Sequence, residues 1–200
     1  MSSESKKIDI SCIVLAAGTS SRFGNTPKLL AHLGAHSILQ LSYDLLAQFN
    51  LQEIVVVLGY KHEKLRSQLP VAANCVVNPN YNTGIASSLR CGIDALKCSG
   101  QGIIVHLADV PFVLPETIEK LITDFTGANG TKICVPVFRK KRGHPVIFPS
   151  SYKETLRKLE GDTGARNLIQ ANTENLLQVE VDDANIAFDI DKKSDLNFLK

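Results

Sequence analysis

The sequence predicts an α/β fold with a mostly parallel central sheet and helices on both faces. Short segments that are apolar along their whole length alternate with longer segments whose apolar residues recur at helical spacing. A fully apolar strand is typical of a sheet that is covered on both faces, as parallel sheets are. Because 200 residues with 44% hydrophobic content suffice for one core, we expect residues 1–200 to form a single domain.

The predicted elements follow one another in a regular order. The strand segments are the apolar runs 10–15, 53–58, 75–77, 103–107 and 133–137. The helix segments between them are 37–49, 62–69, 85–96 and 115–125. Ligands bind beyond the carboxyl ends of the strands in such sheets, which places the loops 16–28, 78–84 and 108–111 on one rim.

The pattern changes after residue 137. A further extended segment covers 143–148, and two short helices are predicted over 151–159 and 163–171. We expect residues 138–172 to form an insertion or lid over the rim, within the same domain. A final strand over 186–191 and a closing helix over 194–199 complete the prediction.

Composition limits the partners and the location of the protein. A net charge of +2 without a basic stripe argues against a nucleic-acid partner, so an anionic partner should be small. The basic run 139–142 is typical of a solvated hairpin tip, and attraction of a polyanionic substrate is the alternative. Five cysteines without a Cys-x-x-Cys pair indicate reduced core thiols. No signal peptide or membrane-spanning run is evident, which predicts a cytoplasmic protein.

A glycine-containing loop follows the first predicted strand. Gly18 and Gly24 allow backbone N–H groups to turn toward an anion, and Arg22 and Lys28 add positive charge. The spacing of the glycines matches neither the Walker loop nor the dinucleotide-binding fingerprint. The loop therefore predicts a phosphate-binding site of another kind.

Acidic residues follow two of the predicted strand segments. Asp109 comes directly after the run 103–107, and its carboxylate should reach the same rim as the glycine loop. Mg²⁺ bound to a nucleotide takes one or two protein carboxylates, which favours a metal site at Asp109 with Asp189 or Asp191. The alternatives are that Asp109 caps a turn and that Asp191 caps the helix after it.

Polar residues of the loop 78–90 favour recognition of a base. Backbone groups near Gly84 and the hydroxyl groups of Ser87 and Ser88 can satisfy the polar edge of a pyrimidine. The alternative for one of the two serines is an ordinary helix N-cap.

Two later motifs predict a second anion site. His144 follows Gly143 and could donate to a substrate phosphate or a pterin-like ring, or could be structural. Arg166, or the backbone amides beside it, could hold a second phosphate, and the alternative is a helix capped by Asp162.

Six motifs in chain order resemble those of the molybdenum cofactor cytidylyltransferase family of MobA-like NTP transferases. They are the loop 15–30 (Leu-Ala-Ala-Gly-x-Ser-x-Arg-x-Gly-x-x-x-Lys-Leu-Leu), Asn78-Pro79 with Gly84 and Ser88-Leu89-Arg90, Leu107-Ala108-Asp109-x-Pro111, Gly143-His144-Pro145-Val146, Gly161-Asp162-x-Gly164-Ala165-Arg166, and Asp189-Ile190-Asp191. The resemblance implies a Rossmann-like, GT-A-like nucleotidyltransferase domain that transfers a nucleotidyl group from an NTP to the terminal phosphate of molybdopterin with Mg²⁺. Ala17 stands where the guanylyl branch has glycine, which favours CTP.

The motifs and the family resemblance together imply four sets of site residues. The catalytic set is Arg22, Lys28 and Asp109, and the metal ligands are Asp109 and Asp191. The nucleotide-binding set is Leu15, Ala16, Ala17, Gly18, Arg22, Lys28, Asn78, Gly84, Ser88 and Asp109. The acceptor-binding set is His144, Gly164 and Arg166.

The expected partners are CTP, a phosphorylated pterin-type acceptor and a molybdenum hydroxylase, with no nucleic acid and no membrane. Two functions of other classes stay open. One is a carrier or chaperone that delivers the nucleotide cofactor to a molybdenum hydroxylase. The other is a redox enzyme on the same scaffold.

Overall fold

A central sheet organises the chain. The computed structural model describes residues 7–20, 23, 26–97, 100–192 and 194–196. Numbered in chain order, the strands are β1 (Ile10–Ala16), β2 (His32–Leu33), β3 (His36–Ser37), β4 (Ile54–Leu58), β5 (Asn74–Val77), β6 (Gly102–Leu107), β7 (Ile133–Phe138), β8 (Lys141–Arg142), β9 (Val146–Pro149) and β10 (Leu176–Glu180). The helices are α1 (Ile38–Ala47), α2 (His62–Arg66), α3 (Ile85–Ala95), α4 (Pro115–Gly127), α5 (Lys153–Arg157) and α6 (Arg166–Ala171).

The sheet is mostly parallel, as predicted. Its order is β10-β7-β9-β6-β1-β4-β5, with β8 paired to β7. Strand β1 pairs in parallel with both β4 and β6, whereas β9 runs antiparallel between β6 and β7. A small separate hairpin, β2 with β3, precedes α1. The carboxyl ends of β1, β4 and β6 therefore lie side by side on one rim.

Helices cover both faces of the sheet, as the packing of alternate β1 side chains shows. Every residue of β1 is buried. Cys12 and Val14 pack on the face covered by α1 and α4, whereas Ile13 and Leu15 pack on the face covered by α3 and α5. Successive side chains of a strand point to opposite faces, so a strand with two covered faces must be apolar throughout.

The C-terminal prediction was wrong in one element. Residues 186–191 do not form a strand: a 3₁₀ turn covers Ala184–Ala187, and the edge strand is β10 instead. The backbone of this segment bonds to loops, because Ile190 N donates to Asp109 O at 2.9 Å and His144 N donates to Ile186 O at 2.7 Å. Ile186 and Ile190 are nevertheless fully buried, so their apolar character reflects packing and not strand pairing. The predicted closing helix falls partly on residues 197–199, outside the described residues.

The segment 138–172 has two parts. Val146, Ile147 and Phe148 of β9 are buried inside the central sheet, so this stretch belongs to the core and not to a lid. The predicted helices are shorter than expected: a 3₁₀ turn (Ser150–Tyr152) precedes α5, and α6 starts only at Arg166. For the rest of residues 138–172 the predicted lid role stays a prediction.

Cysteines and membrane segments complete the description. Cys12 and Cys134 are buried, and burial raises the pKa of the Cys134 thiol to about 12. Cys75 and Cys91 are partly buried and carry free thiols, while Cys98 lies outside the described residues. Among the helices that the structure describes, none is long and apolar enough to cross a bilayer.

Candidate active site

Three charged side chains meet at the rim. Lys28 Nζ lies 2.6 Å from Asp109 Oδ2 and 3.3 Å from Asp191 Oδ1. All three are largely withdrawn from water, with side-chain exposures of 14%, 23% and 26%. They come from distant parts of the chain, and all three were predicted site residues. Arg22, the fourth predicted charged residue, lies outside the described residues.

Backbone contacts bring Asp191 to this position. Ile190 N donates to the Asp109 carbonyl, which ties the C-terminal segment to the loop after β6. Asp195 Oδ2 accepts hydrogen bonds from the N–H groups of Asp191 and Lys192, at 2.9 and 2.7 Å. Asp189 is exposed, so Asp191 and not Asp189 is the acid that contacts Lys28.

The donor set of this cluster suits a hard divalent cation. Asp109 and Asp191 offer carboxylate oxygens, the ligands that Mg²⁺ prefers. Among the described residues no group of three or more His, Cys, Asp or Glu side chains surrounds one point. A cation held here therefore needs further ligands from substrate phosphates and water, as nucleotide-bound Mg²⁺ does.

A cavity of about 690 Å³, here the glycine-loop cavity, adjoins Asp109. The predicted nucleotide residues Leu15, Ala17, Gly18, Gly84, Ser88 and Asp109 line it, together with Thr19, Tyr81, Asn82, Thr83, Ile85, Leu107 and Asp162. The predicted residue Ala16 does not line it, because its side chain is buried within β1. Lys28 is not among the residues that line the cavity, but it contacts Asp109, which is.

Asn78 was predicted to bind nucleotide, but it lies behind the site. Its side chain is 3% exposed, and its Nδ2 donates to Ser87 Oγ at 2.9 Å and to Ser88 Oγ at 3.0 Å. Asn78 Oδ1 accepts from Asn80 N at 2.9 Å. Asn78 therefore orients the serines and shapes the loop, since all its polar atoms face the protein.

The two serines have different roles. Ser87 Oγ lies 2.9 Å from Asn80 O and 2.8 Å from Gly84 O, so its proton is used within the loop. Ser88 Oγ accepts from Asn78 and lines the glycine-loop cavity, which leaves its proton for a ligand. Of the two serines that the sequence offered for base recognition, the geometry favours Ser88.

The loop around Gly161 packs against the start of α3. Ala86 N donates to Gly161 O at 3.2 Å, and Ile85 N donates to Asp162 Oδ1 at 3.2 Å. Asp162 thus caps α3, which is distant in sequence, and not the helix that follows it. Gly84 has φ +110°, and a Cβ there would lie 2.5 Å from Gly161 O, so only glycine fits this contact.

A second cavity of about 620 Å³, here the hairpin cavity, lies beyond β6 and β9. All three predicted acceptor residues, His144, Gly164 and Arg166, line it. Lys140 and Arg142, from the turn and strand of the β7–β8 hairpin, line it as well. The basic run is a hairpin tip as predicted, and its position also agrees with the alternative of attracting an anion.

One ring nitrogen of His144 is buried. Its Nδ1 atom is shielded from water and has no hydrogen-bond partner among the described residues. Burial lowers the pKa of His144, although the charge of Asp109, a hydrogen bond to the backbone of Val105 and the charge of Asp189 oppose the shift. The neutral imidazole is therefore favoured.

His106 is a buried histidine that sequence reasoning missed. It is fully buried on β6, and its Nε2 lies 2.9 Å from Ser42 Oγ on α1. Burial, with a smaller contribution from nearby His144, lowers the pKa of His106 to about 3. The sequence around His106 does not indicate its burial or its lowered pKa, because the apolar strand pattern continues on both sides of it.

The glycine-loop and hairpin cavities share a wall. Leu15, Ile85 and Leu107 line both of them, and Asp109 lies just beyond Leu107. Ligands in the two cavities would therefore face each other beside the charged cluster. This arrangement suits the transfer of a group from one bound molecule to another.

Comparison with known proteins identifies similar chains. A family model described as the MobA-like NTP transferase domain matches residues 12–177. The structure of Rv0371c from Mycobacterium tuberculosis H37Rv is 27% identical with a TM-score of 0.84, and the match covers 98% of each chain. The complex of Rv0371c with manganese is 25% identical with a TM-score of 0.79, covering 95% of this chain and 97% of that one.

A curated relative matches a smaller region. The bifunctional protein GlmU of Mycobacterium ulcerans (strain Agy99) is 34% identical over 122 residues, which are 57% of this chain and 25% of that protein. The chain thus spans about a quarter to a third of the length of the GlmU relatives it matches. The structural matches extend over nearly the whole chain and confirm the predicted fold class.

Proposed function

The chain belongs to the MobA-like NTP transferase family, and on that premise we propose that it is a cytidylyltransferase. It transfers CMP from CTP to the terminal phosphate of a molybdopterin-type acceptor and releases pyrophosphate. The observation that carries the proposal is the shared wall of the two cavities, at Leu15 and Leu107, beside the cluster of Lys28, Asp109 and Asp191.

The reaction needs positioning and charge neutralisation more than proton transfer. An oxygen of the acceptor phosphate attacks the α-phosphorus of CTP in line, the new P–O bond forms, and the bond to the leaving pyrophosphate breaks. A phosphate nucleophile is already ionised near neutral pH, so the site requires no general base. Lys28 supplies positive charge beside the reacting phosphates, which is the main means of catalysis in phosphoryl-type transfer.

A divalent cation fits the same cluster. Asp109 and Asp191 would hold Mg²⁺ through their carboxylate oxygens. When bound, the ion would neutralise charge on the triphosphate. Lys28 lies between the two carboxylates, so it keeps both of them at the rim.

Base selection is assigned to the glycine-loop cavity. The Ser88 hydroxyl and backbone groups near Gly84 offer hydrogen-bond partners to the pyrimidine edge. The Ala17 methyl group lies in the wall of this cavity and favours CTP over the larger GTP. Backbone donors of Ala17 and Gly18 face the triphosphate in this assignment, while Ala16 and Asn78 support the wall from behind.

The hairpin cavity is assigned to the acceptor. His144, Gly164 and Arg166 line it, and Arg166 is exposed enough to meet an incoming anion. The product would pass to a molybdenum hydroxylase, and the reaction would take place in the cytoplasm.

The proposal is tested by measuring pyrophosphate release with each of the four NTPs and Mg²⁺, with and without molybdopterin. We expect release with CTP that depends on molybdopterin, and a CMP-bearing product by mass spectrometry. Asp109→Asn should lower turnover about 10²- to 10³-fold while folding is kept, because the amide removes the charge that pairs with Lys28 and the metal. Asp124→Asn, on the outer face of α4, is the matched control.

The possible results separate the choice of nucleotide, the reaction class and the role of Asp109. Release with another NTP would contradict the choice of CTP but not the reaction class. Stoichiometric binding of nucleotide and acceptor without pyrophosphate release would indicate a carrier and overturn the proposal. Turnover of Asp109→Asn within threefold of the parent at saturating Mg²⁺ would remove Asp109 from the site.

A further inference from the structure

We propose that Asp162 recognises the base of the nucleotide, by accepting a hydrogen bond from the 4-amino group of cytosine at the carboxylate oxygen that does not cap α3. Asp162 is then the residue that separates CTP from UTP. These two nucleotides are nearly equal in size, so the Ala17 methyl group in the cavity wall cannot distinguish them. This inference rests on the proposed function, because it concerns the base of the same substrate.

Asp162 reaches the glycine-loop cavity from a segment whose next residues belong to the other cavity. It lines the glycine-loop cavity together with Gly84 and Ser88, whereas residues 163–166 line the hairpin cavity. Its hydrogen bond from Ile85 N ties it to the residue directly after Gly84. Asp162 therefore lies beside the groups to which the pyrimidine edge is assigned.

One oxygen of this carboxylate is left for a ligand. Asp162 Oδ1 accepts from Ile85 N at 3.2 Å, and the carboxylate makes no other hydrogen bond or ion pair with the residues that the structure describes. Because Asp162 is exposed and lines the cavity, a ligand can reach the second oxygen. An ionised carboxylate accepts hydrogen bonds and donates none, so the group that meets it must be an N–H or O–H donor.

The triphosphate cannot supply that donor. Ionised phosphate oxygens are hydrogen-bond acceptors, and their negative charge repels a carboxylate that no cation neutralises. Lys28 pairs with Asp109 and Asp191. By contrast, no lysine or arginine in the described part of the chain pairs with Asp162. The phosphates therefore belong beside Lys28, where the reaction takes place, and Asp162 faces the nucleoside.

The 4-position of the ring distinguishes the two pyrimidines. Cytosine carries an amino group there, which donates hydrogen bonds, whereas uracil carries a carbonyl oxygen, which accepts them. Aspartate is a common partner for the cytosine amino group in proteins that recognise bases. The Asp162 carboxylate therefore attracts cytosine and repels the O4 atom of uracil. Ala17 and Asp162 then select CTP together, since Ala17 acts against a purine and Asp162 against uracil.

Asp162→Asn tests the assignment by reversing the hydrogen bond that the base meets. The amide keeps one oxygen for Ile85 N and places an N–H donor where the carboxylate had an acceptor. Calorimetry with CTP and with UTP, each with Mg²⁺ and without molybdopterin, gives the ratio of the two affinities. We expect the parent to prefer CTP, and the variant to shift the ratio at least about tenfold toward UTP. Asp94→Asn, on α3 but outside the cavity, is the matched control and should leave the ratio within about twofold.

A purely structural role for Asp162 gives a different result. Loss of the cap on α3 would weaken CTP and UTP alike, and so would loss of a contact to the ribose, which both nucleotides share. An unchanged ratio in a folded Asp162→Asn protein therefore overturns the inference. If that variant does not fold, the parent is titrated with the triphosphate of pyrimidin-2-one riboside, which lacks the 4-amino group. We expect it to bind about tenfold more weakly than CTP, and equal affinity overturns the inference.

Pyrophosphate release from CTP with molybdopterin is measured in parallel on the parent. Release by the parent together with an unchanged ratio in Asp162→Asn overturns the inference and leaves the proposed function. A shifted ratio without pyrophosphate release supports the role of Asp162 and contradicts the proposed reaction. A parent that binds UTP as tightly as CTP overturns both the inference and the choice of CTP.

Discussion

Replacing Gly84 by alanine tests how the two loops of the rim are joined. The backbone of Gly84 has φ +110° and ψ 165°, a region that side chains rarely adopt. The new Cβ would lie 2.5 Å from Gly161 O and 2.6 Å from its carbonyl carbon. Both neighbours are backbone atoms, so rotation of a side chain cannot relieve the contact.

The expected cost has two parts. A residue forced into such a backbone conformation costs ~1–3 kcal/mol. Moving the loop 161–162 away also weakens the hydrogen bonds from Ile85 N and Ala86 N, each worth ~0.5–1.5 kcal/mol net. We therefore expect Gly84→Ala to lose at least about 2 kcal/mol of the free energy of unfolding. For a chain of this size that is a fall of about 4–8 °C in Tm.

Thermal and urea unfolding measure the loss, and calorimetry with CTP measures the effect on the glycine-loop cavity, which Gly84 lines. We expect weaker CTP binding along with the lower stability. Gly127→Ala is the matched control, because Gly127 lies in α4 and an added Cβ would meet nothing within 4 Å. It should be neutral or stabilising by up to about 1 kcal/mol. A Gly84→Ala protein as stable as the parent, with unchanged CTP affinity, would refute the reasoning.

Three further changes give expected outcomes. Ala17→Gly should shift the ratio of kcat/KM values toward GTP, because one methyl group in a pocket is worth ~1–3 kcal/mol, and an unchanged ratio would place base selection near Ser88. Arg166→Ala should raise the KM for molybdopterin by the loss of a charge-assisted contact of ~1.5–3 kcal/mol, and a large loss of CTP affinity instead would contradict the assignment of the cavities. His106 has a folded pKa of about 3, below the ordinary value, so its contribution to stability is present above about pH 6.5 and is lost as pH falls from there. Between pH 7 and 5 the free energy of unfolding should fall about 2 kcal/mol more in the parent than in His106→Gln, and equal falls would show that His106 is not the titrating group.

Local patterns predicted four core strands and the position of Asp109. The apolar runs predicted β1, β4, β6 and β7 to within about a residue at each end, because strands buried on both faces must be apolar throughout. Asp109 was found the same way, since a polar residue directly after such a run must lie at the rim. The same signal failed for residues 186–191, where buried isoleucines pack against the core while the backbone bonds to loops.

Contacts between distant residues were decided only by the tertiary structure. The sequence alone offered both Asp189 and Asp191 as metal ligands, and the fold brings Asp191 to Lys28 through the bond from Ile190 N to Asp109 O. Asp162 caps α3 by accepting a hydrogen bond from Ile85 N, which lies 77 residues earlier in the chain. No local sequence pattern indicates a pairing over that separation. The spacing of apolar residues indicates which side of a strand or helix is buried. It does not indicate which polar groups pair, because that depends on how the elements pack against one another. The sequence therefore determined four strands of the sheet and the position of Asp109 at its rim, whereas the packing decided the edge strand and which polar residues share each cavity.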